Sequence, residues 1–93
     1  VSLLDRKLRL SPSVALRPEP FGALAYHFGN RRLTFLKQHE LVQVVRSLDG
    51  SMPLRSVLAE CAVPDELWDV YAASVARLME SDMIVRIEED VSS

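Results

Sequence analysis

Cysteine occurs once in the 93 residues, at Cys61, which excludes an internal disulfide and any Cys-based zinc site. Glycine occurs three times (Gly22, Gly29, Gly50), and neither a G-x-G-x-x-G stretch nor a P-loop is present, so little backbone is free to cradle a phosphate. Histidine occurs twice. His39-Glu40 opens like the H-E-x-x-H zinc motif, but Gln43 stands where the second histidine is required. The longest run without Asp, Glu, Lys or Arg, Pro20 to Asn30, is 11 residues and includes His27. A membrane-spanning helix needs about 20 apolar residues. No basic segment followed by an apolar stretch opens the sequence, so the cytoplasm is the expected location and no membrane partner is expected.

What is present is ordinary for one folded domain: 48% hydrophobic and 26% charged residues. A fold of this size hides roughly 60 to 65% of the surface of its unfolded chain, enough for a thin core. Ser13 and Ser56 have no local base, and Cys61 falls on an apolar stripe, where a thiol is buried and inert. No catalytic constellation emerges. The expectation is a binding module, not an enzyme, with no metal and no cofactor of its own.

The net charge of −2 conceals two unlike halves. Residues 1–46 carry eight Lys or Arg against three acids, a net +5, whereas residues 47–93 carry three Arg against ten acids, a net −7. Such asymmetry marks either a polar interaction surface or a chance segregation of solvated faces.

Residues 1–12 scatter Leu3, Leu4, Leu8 and Leu10 among charges and end at Ser11-Pro12, which reads as an N-terminal arm. Val14 and Leu16 begin a short first strand, stopped by Pro18 and Pro20. The clearest local signal follows. Phe21 to Phe28 and Arg31 to Leu36 flank Gly29-Asn30, the pattern of a hairpin closed by a two-residue type II′ turn. That loop pairs Phe28 with Arg31, Tyr26 with Leu33 and Leu24 with Phe35. The large apolar residues then share one face, and Ala23, Ala25, His27, Arg32 and Thr34 the other, as fits a sheet packed on one side only.

From Gln38 the period turns helical. Leu41, Val44, Val45 and Leu48 form one stripe, with Gly50 as the stop. Ser51 is the expected cap of a second helix with Pro53 in its first turn and a stripe of Leu54, Val57, Leu58 and Cys61. Val63-Pro64 opens a third helix, with Asp65 and Glu66 at its positive end, running to about Asp82. Met83 to Ile87 suits a closing strand before an acidic tail. The expected fold is therefore α+β: a three-stranded antiparallel sheet followed by a three-helix bundle, laid out like a winged helix-turn-helix. The domain proper is expected over 13–88 and the tail over 89–93.

That layout raises DNA binding as the alternative, a winged-helix transcription regulator. Against it, helix three carries Asp65, Glu66, Asp69, Glu80 and Asp82 with Arg77 alone, a net −4, which opposes the phosphate contacts that supply most affinity. The sheet edges are better placed. The strand Arg31 to Leu36 suits capture of an extended peptide by main-chain hydrogen bonds. The basic residues beside it either seek acidic groups or guard the edge against aggregation. On helix three, Leu67, Tyr71, Val75 and Leu78 with Trp68, Ala72 and Met79 cover about 140° of arc, beyond the ~100° a core stripe requires. That surplus is either more core or the wall of a shallow groove.

Leu16-Arg17-Pro18-Glu19-Pro20-Phe21-Gly22-Ala23-Leu24-Ala25-Tyr26 and Arg31-Arg32-Leu33-Thr34-Phe35-Leu36 resemble the mycofactocin biosynthesis peptide chaperones. These are in turn similar to the pyrroloquinoline quinone peptide chaperone and to other precursor-peptide recognition elements. Leu48-Asp49-Gly50 matches the wider group, while Lys37 stands where that group tends to have Asn. The resemblance implies a domain that binds a precursor peptide as an added strand and presents it to a radical S-adenosylmethionine maturase, which holds the iron–sulfur clusters. Carried over by position, the edge is Arg32 to Leu36, including Leu33, Thr34 and Phe35, and the wall is Trp68, Ala72, Val75 and Met79. Arg31, Arg32 and Lys37 are expected to pair with acidic residues of the peptide, and a proline at Thr34 to weaken the ladder. No nucleic acid is expected as a partner.

Overall fold

The computed structural model describes residues 3–87; the expected acidic tail at 89–93 lies outside them. The fold is α+β, with two three-stranded antiparallel sheets and three α-helices. In chain order the elements are β1 (Lys7–Leu10), β2 (Val14–Glu19), β3 (Gly22–His27), β4 (Leu33–Leu36), α1 (His39–Ser47), β5 (Asp49–Pro53), α2 (Leu54–Glu60), α3 (Trp68–Glu80) and β6 (Ile84–Arg86). Short 3-10 turns at Leu3–Asp5 and Asp65–Leu67 precede β1 and α3.

Within the segment read as an arm, Lys7–Leu10 forms the middle strand of a sheet. β1 pairs with β5 on one side and β6 on the other, in the order β5-β1-β6. Lys7-Leu8-Arg9-Leu10 alternates charge and leucine, the period of a half-buried strand, and Leu8 is 0% exposed. Ser11-Pro12 ends that strand, as it would have ended a helix. Further main-chain bonds extend the ladder, from Leu54 N–H to the Arg6 carbonyl (2.9 Å) and from Ile87 N–H to the Lys7 carbonyl (2.9 Å). The closing strand expected over Met83 to Ile87 is present as β6.

β5 replaces the expected stop and cap. α1 ends at Ser47, and Gly50 lies within β5 at φ +85°, where the pairs Lys7↔Pro53 and Arg9↔Asp49 enclose one residue of β1 but three of β5, leaving β5 bulged. Ser51 does not cap α2. Its hydroxyl and its N–H both bond the Asp49 carboxylate, at 2.6 and 2.9 Å, and Pro53 takes the position before the helix. The hydroxyl contact and then the N–H hold the Asp49 carboxyl below its ordinary value.

The helical stripes are as the spacing predicts. Leu41, Val44, Val45 and Leu48 are buried, as are Leu54, Val57 and Leu58, while Cys61 is only half-buried at the end of α2. The turn Asp65–Leu67 delays the third helix, so α3 starts at Trp68 and buries Tyr71, Val75 and Leu78. α1 packs against β1, β3 and β4, and so joins the two sheets to one core.

The second sheet, β2-β3-β4, is a meander whose register matches the hairpin reading: Tyr26 opposes Leu33 and Leu24 opposes Phe35. Its turn differs. Gly29 is not in the left-handed region; Arg31 is, at φ 62°, and residues 28–31 form the loop. The His27 ring explains the change. Its Nδ1 accepts the N–H groups of both Gly29 (3.0 Å) and Asn30 (3.1 Å), satisfying donors that a two-residue turn would have placed elsewhere. Asn30 Oδ1 then accepts from Arg32 N–H at 2.9 Å.

The sheet is packed on one side only, and the packed side is that of the small residues. Ala23 (0%), Ala25 (1%) and Leu36 (3%) are buried, with His27 beside them. Small side chains on β3 let α1 approach closely. Gly22, at φ +148°, answers a different constraint, since a Cβ there would run into the carbonyl oxygen of Leu36 at the end of the neighbouring β4.

Candidate functional site

The opposite face of the meander is apolar and open. Phe28 is 63% exposed, Phe35 56%, Leu33 51% and Phe21 40%, with Leu24 and Tyr26 half-buried between them. The rings support one another rather than a core. Phe21 meets Phe35 edge-on with centroids 5.8 Å apart, and Tyr26 meets Phe28 in the same way at 5.2 Å. A hollow of about 420 Å³ opens between Phe21, Phe35 and Lys37. A contiguous apolar surface of this kind on a small domain marks a contact with something else.

β4 borders this face and, among the described residues, pairs with β3 alone. The hydrogen-bond phase along β4 follows from one measured bond, His27 N–H to the Arg32 carbonyl at 2.9 Å. In an antiparallel ladder, bonded and non-bonded pairs alternate. Ala25 and Thr34 are therefore a bonded pair, as are Ala23 and Leu36, whereas Leu33 and Phe35 belong to non-bonded pairs. The N–H and C=O groups of Leu33 and Phe35 point away from β3, into the open side of the edge. Thr34 N–H points inward and belongs to the fold, so a proline there breaks the hairpin instead of testing the edge.

The expected site residues divide into three groups. Arg31, Arg32, Leu33, Phe35 and Lys37 lie exposed along β4 and its flanks, with Thr34 half-buried. Among the described residues, no ion pair involves Arg31, Arg32 or Lys37. Leu36 and Val75 are core residues, and Val75, at 0% exposed, offers a ligand no surface. Trp68, Ala72 and Met79 are half-buried and packed against the core, and Trp68 Nε1 is engaged with the Val63 carbonyl at 2.9 Å. The edge and the helix meet through the hairpin tip, where Asn30 Nδ2 donates to the Ser81 carbonyl just past α3 (3.0 Å). Sequence reasoning missed Phe21, Tyr26 and Phe28 as surface residues. The parity that Tyr26 and Phe28 share with Leu33 and Phe35 was readable, whereas Phe21 precedes β3 and falls outside that alternation, and the side of the sheet that α1 would cover was not readable.

An α+β domain that leaves an aromatic sheet face and the adjoining strand edge uncovered is built as a docking module. Comparison with known proteins narrows that class. Residues 7–85 match the model of the peptide chaperone MftB family, and the chain belongs to that family. It is similar to the peptide chaperone MftB of Mycolicibacterium smegmatis, 46% identical over 81 residues, covering 87% of this chain and 79% of that one. The peptide chaperone MftB of Mycobacterium ulcerans is 45% identical over 86 residues, 92% of this chain and 79% of the relative. That of Mycobacterium tuberculosis is 46% identical over 81 residues, 87% of this chain and 74% of the relative. No solved structure matches the chain. The resemblance read from Leu16 to Tyr26 and from Arg31 to Leu36 thus holds at the level of the family.

Proposed function

We propose that this protein captures the mycofactocin precursor peptide as an extra strand on β4 and presents it to a radical S-adenosylmethionine maturase in the cytoplasm. The observation that carries the reading is the phase of β4. The main-chain groups of Leu33 and Phe35 point outward, the arrangement that lets a sheet accept another strand. Membership of a peptide chaperone family supplies the class of ligand. The chemistry on the peptide belongs to the maturase, and this chain contributes binding and orientation. The winged-helix-like plan is part of the same reading, with the meander and α1 to α3 as its frame and Trp68, Ala72 and Met79 as the wall behind the bound strand. Exposed Asp65 and Glu66 in the turn before α3, with Asp69 in its first turn, suit a protein partner better than a nucleic acid.

The phase makes the test specific. Leu33→Pro removes an outward N–H and is tolerated at an edge, whereas Leu33→Ala keeps that N–H and removes the side chain. Calorimetric titration with the precursor peptide is expected to show at least about tenfold weaker binding for Leu33→Pro than for Leu33→Ala, one lost hydrogen bond with its desolvated partner being worth about 1–3 kcal/mol. Equal affinities of the two variants, both folded, refute the added strand.

A further inference from the structure

Residues opposite one another in a sheet share a face, whichever way the strands run. The side chains of Leu33 and Phe35 lie on the open face with Leu24 and Tyr26, their opposite partners on β3. Lys37, two residues beyond Phe35, lines the hollow with Phe35 and Phe21. Along the border of the edge the protein therefore presents apolar, apolar and basic side chains at every second position. The intervening residues differ: Thr34 is half-buried and Leu36 is core.

From this alternation we infer that the site selects its peptide by a spaced pattern, two apolar side chains at i and i+2 and a carboxylate at i+4, read by Leu33, Phe35 and Lys37. The inference rests on the added-strand reading and gives it a sequence requirement. The apolar side chain opposite Phe35 covers the ring on its open side and enters the hollow bounded by Phe21. The carboxylate reaches a lysine that forms no ion pair among the described residues. Only the spacing is common to both strand directions: run antiparallel to β4, the same three sites read the carboxylate at i and the apolar side chains at i+2 and i+4. A second copy of this chain is a poor occupant, because it would bring its own Arg31, Arg32 and Lys37 to the same border.

The test uses the full chain and short fluorescein-labelled peptides in a Thr/Ser host, followed by fluorescence anisotropy. One peptide, made in both residue orders for the two strand directions, carries Leu, Leu and Asp at alternate positions. Its isomer has the same composition with the two Leu residues adjacent, which sends one of them to the wrong face. The alternating peptide is expected to bind at least about tenfold more tightly, the effect of seating one more apolar side chain. Lys37→Glu is expected to reverse the preference between the Asp peptide and the same peptide with Lys in its place. Equal affinity of the two isomers, or an unchanged ranking in Lys37→Glu, overturns the pattern. The two failures are separable. If Leu33→Pro still loses the precursor peptide while Leu33→Ala keeps it, the added strand stands and only the pattern falls.

Discussion

The two sheets are built on opposite principles. In β2-β3-β4 every strand pairs with its neighbour in sequence, and no paired residues lie more than 13 positions apart. The sheet commits Ala23, Ala25, His27 and Leu36 to the buried side and leaves most of its large apolar residues outside. In β5-β1-β6 the first strand waits for partners from the middle and the end of the chain, and it is buried between them. Local pairing leaves a surface over for binding, and remote pairing holds the domain together. The comparison teaches that pattern strength and structural weight are different properties. The hairpin announces itself in sequence and displays its largest side chains to solvent, while the strand hidden in an unremarkable leucine-and-charge stretch lies at the centre.

The sharpest way to break the contrast is to remove one large side chain from each sheet. Leu8→Ala empties a fully buried site and is expected to cost about 2–5 kcal/mol in urea denaturation, a large share of the stability of a small domain. Phe35→Ala on the other sheet is expected to cost no more than about 1.5 kcal/mol, the range of an exposed aromatic pair, while weakening peptide binding. A large loss of stability from Phe35→Ala would show that the open face supports the fold and is not reserved for a ligand.

A smaller effect tests what holds the meander's tip. His27→Ala strands the N–H groups of Gly29 and Asn30 and is expected to cost about 1–3 kcal/mol. His27→Asn returns an acceptor near the Nδ1 position and is expected to recover part of that loss. Equal destabilisation by both variants would show that the ring's packing, and not its acceptor, sets the loop.

The smallest effect reads the core beneath the sheets through pH. Burial, with the Glu40 carboxylate adding to it, pushes the Tyr71 hydroxyl above its ordinary value. The folded protein then keeps a proton that the unfolded chain has lost. The stabilisation is complete below the unfolded pKa of about 10 and fades as pH rises through the folded value. Urea midpoints measured across this alkaline range are expected to fall for the native protein and to fall less for Tyr71→Phe.

Much of this molecule was legible in the sequence for reasons that can be named. Helix stripes such as Leu54, Val57 and Leu58 were correct because a 3.6-residue period has one buried side whatever it packs against. The hairpin register was correct because paired parity is a local property. Which face is covered is not local. It depends on α1 closing over Ala23 and Ala25, and two alanines give no hydrophobic signal strong enough to outweigh the aromatic side. Asp49 to Pro53 is a strand because β1 has an edge to fill, and nothing in Asp-Gly-Ser-Met-Pro favours that state. β1 itself carried a usable signal, the alternation Lys7-Leu8-Arg9-Leu10, hidden by reading the residues before Ser11-Pro12 as a lead-in. Position alone placed Leu33 to Leu36 at a sheet edge, whereas Val75, read as part of a groove wall, is a core residue. The outward phase of Leu33 and Phe35 needed the His27–Arg32 hydrogen bond.

The pairing of β1 with β6 also sets an order of events during synthesis. A ribosome delivers Leu8 long before Ile84, so the central strand of the first sheet emerges without one of its two neighbours, while β2, β3 and β4 can pair as soon as they appear. Between the emergence of β4 and that of β6 the nascent chain carries a closed meander with an aromatic face and a leucine strand still lacking β6. β6 closes the second side of β1, so a chain that stalls just before residue 84 presents two adhesive surfaces instead of one.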